Sequence, residues 1–252
     1  MLNIEGVTQG EPLSMVLYGI TLFPLAEELR AANPGLLSLF YADNATFDGL
    51  ARRSAQLLKL LMKRGPDRGY FPELDKSHFI SDTPEQEAGA KREFAAEGLS
   101  LNLVSGSRYL VAYLGPQAEL EAWVKPQVEA WAYGVQVLAK ISRRHPQSAY
   151  YGLGMSQKLE WQYLQRTVPG VGTLMGTIEE TLREKVFPSL FWGEEVTANF
   201  RKILGHSIKY GGLGIPDPQQ SAECAYNTSK AASRELVDSL QGGSVLNYLG
   251  HR

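Results

Sequence analysis

Asp43 and Asn44 stand side by side directly after the apolar run LLSLF. Carboxylate and amide oxygens bind hard divalent cations such as Mg²⁺, so this pair can hold a metal at the end of a strand. The same two residue types also favour a tight hairpin turn that needs no metal. The stretch FYADNATFDG therefore leaves three interpretations open: a metal site, a plain turn, and the remains of a former site.

Two further groups lie at equal sequence distances on either side of Asp43. Gly10, in the stretch GVTQGEPLS, precedes Asp43 by the same number of residues that separates Asp43 from Lys76. Pro12 suits the first turn of a helix, and a helix N-terminus binds phosphate through its free N–H groups. Together these elements can hold a nucleotide and its metal, but without further support the plain turns at Gln9-Gly10 and at Asp43-Asn44 are the favoured interpretations.

Two clusters of basic residues are candidates for contact with nucleic acid. The first consists of Arg52, Arg53, Lys59, Lys63 and Arg64, and the second of Lys140, Arg143, Arg144 and His145. The net charge of −2 means that the overall field does not attract nucleic acid, so binding must depend on such local patches. Basic runs on helices are also common as solvated faces without a partner.

The apolar periodicity and the turn residues predict the elements that position these groups. Helices are predicted over residues 10–32, 50–65 and 83–98, the last opened by Thr83 and Gln86 in a capping box. A strand, a tight turn and a short return strand are predicted around YADN, and KSHFIS predicts another short strand. The alternating stretch 100–115 predicts a hairpin that turns at Ser105-Gly106-Ser107.

The pattern changes after Gly115-Pro116, where we expect a domain boundary. Mainly helical segments, separated by proline and glycine, are predicted over residues 117–144, 146–168, 172–187, 194–205 and 218–240. The sequence therefore predicts an α+β fold for the first part of the chain and a mainly α-helical remainder.

The set GVTQGEPLS, YADN and Lys76 resembles the second half of a reverse transcriptase palm. In that family G-x-x-Q-G-x-P-L-S forms the helix that supports primer, template and incoming nucleotide. Y-x-D-D is the metal-binding hairpin, and a lysine on the next strand faces the triphosphate. The segment SRYLVAYLG is similar to the hairpin that leads from palm to thumb, and the tail that begins with GLGIPDP is similar to the region that follows the thumb in non-LTR-retrotransposon-like polyproteins. The chain thus resembles an RNA-directed DNA polymerase of non-LTR-retrotransposon type.

The resemblance implies a fold, a set of partners and a role for each matched residue. The implied fold is a partial right-hand palm of antiparallel hairpins and helices over 1–115, a thumb-like helical region over 116–190 and a helical C-terminal extension over 191–252. The implied partners are an RNA template, a DNA primer and a deoxynucleotide, with Mg²⁺ or Mn²⁺ as the cofactor. The implied catalytic residues are Asp43, Asn44 and Lys76, with Asp43 and Asn44 as the metal ligands. The implied nucleotide and template contacts are Gln9, Gly10, Pro12 and Tyr41, and the implied thumb contacts are Lys140, Arg143 and Arg144.

Two departures from the family pattern bear on activity. Polymerase palms hold two metals between two aspartates on neighbouring strands. Here the residues before Gly6 read MLNIE, so we expect the strand with the first aspartate to be absent, and Asn44 replaces a charged hairpin residue. The expectation is a reverse transcriptase fragment that is inactive alone and depends on a missing palm and fingers segment, with one apolar edge of LLSLFY left unpaired. The alternatives are a non-catalytic nucleic-acid-binding remnant and an expressed relic without a selected role.

Composition excludes several other classes of protein. The single cysteine, Cys224, excludes an intrachain disulfide framework, and the four scattered histidines do not form a zinc pattern. Glu5 and Glu11 lie where a signal peptide is apolar, and the uncharged run 12–26 is too short to span a bilayer. We therefore expect an intracellular protein, nuclear or cytoplasmic, that is neither secreted nor embedded in a membrane.

Overall fold

The computed structural model describes residues 12–110 and 112–249. The chain divides into two compact units, Met1–Ser107 and Arg108–Arg252. It combines helices with short strands, which confirms a mixed helix and sheet class, while the palm, the thumb and their boundaries remain predictions. None of the described helices is long and apolar enough to cross a membrane.

Over residues 12–107 the N-terminal unit is built on three helices with short strands at their margin. Leucines of the first two helices and Ala90 and Phe94 of the third form one buried core, whereas none of the described strand residues of this unit is fully buried. The elements are α1 (Ser14–Ala32), β1 (Leu37–Tyr41), β2 (Asn44–Asp48), α2 (Ala51–Arg64), β3 (His78–Ile80), α3 (Pro84–Ala96) and β4 (Asn102–Val104).

Helix α3 begins where the sequence predicts. The Thr83 hydroxyl accepts a hydrogen bond from the backbone N–H of Gln86 at 3.2 Å, and Pro84 occupies the first helical position. The Gln86 side chain accepts in turn from the N–H of Asp82 at 3.0 Å, one residue before the position that a capping box uses. Two backbone donors are thus satisfied by local side chains, which explains why this helix start is readable from sequence.

The predicted hairpin over 100–115 is wrong. Strand β4 pairs in parallel with β3, with Phe79 opposite Leu103. The strand β5 (Ser107–Tyr109) pairs instead with β6 (Ala112–Leu114). Alternating residues indicate a strand but do not identify its partner.

Packing explains the parallel pairing. A parallel pair needs a crossover connection, and α3 supplies it between β3 and β4. Phe79 and Leu103 both lie against the helical core, and the Phe79 ring meets the Phe94 ring edge-on with centroids 5.4 Å apart. Pairing with β3 therefore brings Leu103 beside the core that α3 already covers.

The C-terminal unit is built around one long helix, α4 (Gln117–Ser142), whose buried residues recur every three or four positions. A π-helical turn joins α5 to α6, and a second joins α7 to α8. These helices confirm the segments predicted after Pro116. The remaining helices are α5 (Pro146–Gly152), α6 (Lys158–Thr167), α7 (Gly176–Thr181), α8 (Phe187–Leu190), α9 (Ala198–Gly205) and α10 (Pro218–Gly242).

A buried ion pair connects the later helices of this unit. Arg201 of α9 donates through Nε and Nη2 to the two carboxylate oxygens of Glu179 on α7, each at 2.7 Å. Its Nη1 donates to the carbonyl of Ile215 at 2.9 Å, and its guanidinium lies 4.9 Å from the centroid of the Phe187 ring. A buried charge is tolerated only when it is paired and hydrogen-bonded, and here both conditions are met.

We expect Glu179→Ala to lower the free energy of unfolding of the C-terminal unit by about 3–5 kcal/mol, because the Arg201 charge would remain buried without a carboxylate partner. All four tryptophans lie in this unit, so urea unfolding followed by tryptophan fluorescence reports it selectively. The control is Glu180→Ala, an exposed neighbour for which a change within about 0.5 kcal/mol is expected. Equal effects of the two substitutions would contradict the prediction.

Candidate functional site

The β1–β2 hairpin places Asp43 at its tip. Tyr41 pairs with Asn44 across the two strands, so the loop consists of Ala42 and Asp43 alone. Ala42 has a φ of +52°, in the left-handed region, which costs a residue with a Cβ atom about 1–2 kcal/mol. The turn is thus centred on Ala-Asp rather than on Asp-Asn, and Asn44 is already the first residue of β2.

Tyr70 supports this tip from a loop that follows α2. Its Oη donates to the backbone carbonyl of Asp43 at 2.9 Å, and its ring lies edge-on to Phe40 with centroids 6.3 Å apart. The loop folds back closely enough that a Cβ atom on Gly65 would collide with the carbonyl oxygen of Tyr70. Sequence reasoning missed this contact, because no local pattern connects residues 27 positions apart.

The Asp43 carboxylate acts on two phenols near the turn. Burial raises the pKa of Tyr70 above its ordinary value of 10.0, and the neighbouring Tyr18 and Asp43 raise it further. Burial also raises the pKa of Tyr18, with Asp43 as the second cause. A carboxylate that disfavours phenolate formation gives the tip a negative potential, which favours cations over anions there.

Asp43 and Asn44 are the only two predicted metal ligands, and they are adjacent. The Asn44 amide nitrogen donates to Oδ1 of Asp43 at 3.4 Å, so the amide nitrogen rather than its oxygen faces the carboxylate. Over residues 12–110 and 112–249, no group of three or more His, Cys, Asp or Glu residues is arranged to hold a metal ion. The donors that this hairpin supplies are one carboxylate and one neutral amide oxygen.

The other predicted nucleotide and template residues are distributed unevenly around the hairpin. Tyr41 ends β1 beside the tip and is 65% exposed. Pro12 is exposed in the turn that precedes α1. Gln9 and Gly10 lie outside the described residues. The hairpin therefore brings Tyr41, Asp43 and Asn44 together.

Lys76 does not lie on a strand, contrary to the prediction from KSHFIS. It ends a 3-10 turn, Leu74–Lys76, and β3 begins only at His78. Its Nζ forms an ion pair with Glu73 at 2.6 Å, and that hydrogen bond raises the pKa of Lys76. The strand starts late because its partner strand begins at Asn102, whose side chain donates to the carbonyl of Asp75 at 2.8 Å.

The two basic clusters differ in how far their charges are neutralised. In the first, Lys59 pairs with Glu97 at 2.9 Å and Arg64 with Glu28 at 2.8 Å. In the second, Lys140, Arg143 and Arg144 are exposed at the end of α4, and among the described residues none of them is paired with a carboxylate. Arg52, Arg53 and Lys63 of the first cluster are also exposed and have no described carboxylate partner, so the second cluster differs in that none of its lysines and arginines is paired.

Helix α1 exposes an apolar face. Along this face lie Leu13, Val16, Leu17, Ile20 and Phe23, each largely exposed. In the described part of the chain β1 pairs with β2 alone, so its other edge is open. Contiguous exposed apolar side chains of this kind are more common at interaction surfaces than elsewhere on soluble proteins.

Comparison of the chain with protein-family models, curated proteins and solved structures finds no match.

We expect Tyr70→Phe to lower the stability of the N-terminal unit by about 0.5–1.5 kcal/mol at pH 8, because the hydrogen bond to Asp43 is lost. The raised pKa means that the folded state binds the phenolic proton more tightly than the unfolded state does. This contribution is complete below pH 10 and is lost as the pH rises through the raised value. The difference between wild type and Tyr70→Phe should therefore narrow above pH 10.

Urea unfolding followed by far-UV circular dichroism measures this difference. Tryptophan fluorescence, which reports the C-terminal unit, should not change between the two proteins. Tyr41→Phe alters an exposed phenol of the same unit and serves as the matched control. A difference between wild type and Tyr70→Phe that is the same at pH 8 and above pH 10 would rule out the linkage.

Proposed function

We propose that this chain is the C-terminal palm and thumb part of a reverse transcriptase of non-LTR-retrotransposon type, and that it does not extend a primer by itself. The observation that carries the proposal is Asp43 at the tip of a two-residue hairpin, set at a fixed spacing after GVTQGEPLS and α1. The parent reaction is RNA-templated DNA synthesis. In it the 3′-hydroxyl of the primer attacks the α-phosphorus of a deoxynucleotide, and pyrophosphate leaves.

The oxygen ligands at the hairpin tip are of the type that binds a hard divalent cation, but together they carry only one negative charge. Asp43 and the oxygen of Asn44 would hold Mg²⁺ or Mn²⁺, which supplies Lewis-acid stabilisation of phosphoryl oxygens when bound. To contribute, the Asn44 amide must rotate so that its oxygen replaces its nitrogen beside Asp43. One carboxylate and one neutral amide bind such a cation weakly, which is the reason for proposing inactivity of the chain alone.

The role implied for Lys76 also requires a change in side-chain contacts. Lys76 must leave Glu73 before it can contact a triphosphate, because that carboxylate holds its Nζ at 2.6 Å. Tyr41 needs no such change, since its ring is already exposed beside the tip. Of the proposed site residues, Tyr41 and Asp43 on the hairpin therefore need the smallest rearrangement to take their implied roles.

Primer extension tests the proposal. With an RNA template, a DNA primer, deoxynucleotides and Mg²⁺ or Mn²⁺, we expect no more product from this chain than from Asp43→Ala. The matched control is Asp48→Ala, which removes an exposed carboxylate at the other end of β2. Product that disappears in Asp43→Ala and persists in Asp48→Ala would refute inactivity and establish catalysis by this chain.

A second candidate function is nucleic-acid binding without catalysis. The observation that favours it is the exposed cluster of Lys140, Arg143 and Arg144, whose charges are not neutralised by described carboxylates. Such cations displace counterions from a phosphate backbone and give salt-dependent affinity. The remaining alternative is a relic without a selected role. For such a relic we expect no specific dependence of nucleic-acid binding on Lys140, Arg143 or Arg144.

We expect Arg143→Ala/Arg144→Ala to weaken binding of an RNA–DNA hybrid and to reduce the slope of log affinity against log salt by about one per lost phosphate contact. Fluorescence anisotropy over a salt series measures both quantities. The control is Lys59→Ala/Arg64→Ala, which removes two cations that already have carboxylate partners. Equal losses in the two double variants would exclude a specific contact by the 140–144 cluster.

A further inference from the structure

The segment between α9 and α10 is a fixed loop rather than a loose connection. Its two ends, Leu204 and Ile215, are buried in the core of the C-terminal unit. Within the loop the N–H of Leu213 donates to the carbonyl of Leu204 at 3.1 Å, and the N–H of Gly214 donates to that of His206 at 2.7 Å. The loop therefore closes on itself directly above the core.

Three side chains tie this loop to the surrounding helices. Tyr150 of α5 donates to the carbonyl of Leu213 at 2.7 Å, and Lys158 of α6 donates to that of Gly214 at 3.1 Å. The buried Arg201 holds the carbonyl of Ile215. A Cβ atom at Gly212 would collide with the carbonyl oxygen of His206, so this close approach requires glycine. These contacts hold the part of the loop that follows the tip against α5, α6 and α9.

The tip of the loop carries an aromatic ring that is open to solvent. A 3-10 turn, Ile208–Tyr210, forms the tip, and Tyr210 is 73% exposed. Lys209 Nζ lies 5.7 Å from the centroid of the Tyr210 ring, as in a cation–π contact. An exposed ring on a fixed support, with a cation beside it, is the arrangement that stacks on nucleic-acid bases.

The loop lies within one segment that contains no acidic residue and contacts a second such segment. Residues 196–216 and residues 130–159 are both free of Asp and Glu, although acidic residues outnumber basic ones in the whole chain. The hydrogen bonds of Tyr150 and Lys158 hold these two segments against each other. The exposed cations that the segments contribute are Lys140, Arg143, Arg144, Lys202 and Lys209.

We infer that the Ile208–Tyr210 turn contacts an unpaired base of bound nucleic acid, with Tyr210 stacking on the base and Lys209 contacting a neighbouring phosphate. Base faces inside a duplex are already stacked, so the ring requires a single-stranded segment. The C-terminal unit therefore prefers a hybrid with a single-stranded extension to a blunt hybrid. This inference rests on the proposed contact between the 140–144 cluster and nucleic acid.

Anisotropy with two RNA–DNA hybrids of equal duplex length, one blunt and one with a single-stranded extension, tests the inference. Tyr210→Ala should weaken binding of the extended hybrid by about 5- to 100-fold and leave the blunt hybrid unchanged. Tyr210→Phe keeps the ring and should bind like wild type. In the extended hybrid, 2-aminopurine at the first unpaired position should lose fluorescence on binding wild type and retain it on binding Tyr210→Ala.

Tyr248→Ala is the matched control, because Tyr248 is 72% exposed and lies outside both acid-free segments. Since Tyr210 is exposed, its substitution should leave the urea unfolding curve of the C-terminal unit unchanged. If Arg143→Ala/Arg144→Ala weakens both hybrids while Tyr210→Ala weakens neither, the stacking inference is wrong and the proposed binding cluster stands. If wild type binds neither hybrid, both are wrong.

Discussion

The C-terminal unit depends on the buried guanidinium of Arg201. Its charge is compatible with burial only beside Glu179, so α7 and α9 must approach until both carboxylate oxygens are bonded. The remaining donor then fixes Ile215, and with it the end of the loop that carries Tyr210. A single side chain thus connects the hydrophobic core to the surface that we propose for nucleic acid.

The N-terminal unit contains a smaller constraint of a different kind. Ala42 holds a left-handed backbone that glycine or asparagine adopts with less strain, and it does so directly before Asp43. Such strain persists where the surroundings over-determine the conformation, and here the β1–β2 pairing and the Tyr70 hydrogen bond both do so. The backbone of Asp43 is therefore held by the β1–β2 pairing on either side of the turn and by the hydrogen bond from Tyr70 to its carbonyl oxygen.

The elements that sequence reasoning predicts well are those with local causes. Thr83, Pro84 and Gln86 specify the start of α3 within four residues, and the apolar spacing along α4 specifies its buried face. The β1–β2 hairpin is equally local, and so Asp43 at its tip was predictable as a candidate ligand.

What sequence reasoning misses depends on partners that are distant in the chain. The strand at KSHFIS is shortened, and Lys76 excluded from it, because pairing starts opposite Asn102. Glu179 and Arg201 stand 22 residues apart without any periodicity that connects them. Tyr70 and Asp43, which are connected by a hydrogen bond, are likewise 27 residues apart and share no local pattern. Each of these contacts follows from tertiary packing, which the local pattern does not encode.

The parallel pairing of β3 with β4 gives the N-terminal unit contacts between residues that are distant in the chain. A hairpin with a two-residue loop forms within roughly 1–10 μs, so β1 and β2 can pair early. Strands β3 and β4 are joined by the longer connection that contains α3, and closing that connection costs more conformational entropy than closing the hairpin. The contact between Phe79 and Leu103 therefore adds more to the contact order of this unit than any pair in the β1–β2 hairpin, and long-range pairs of this kind are the ones that slow folding.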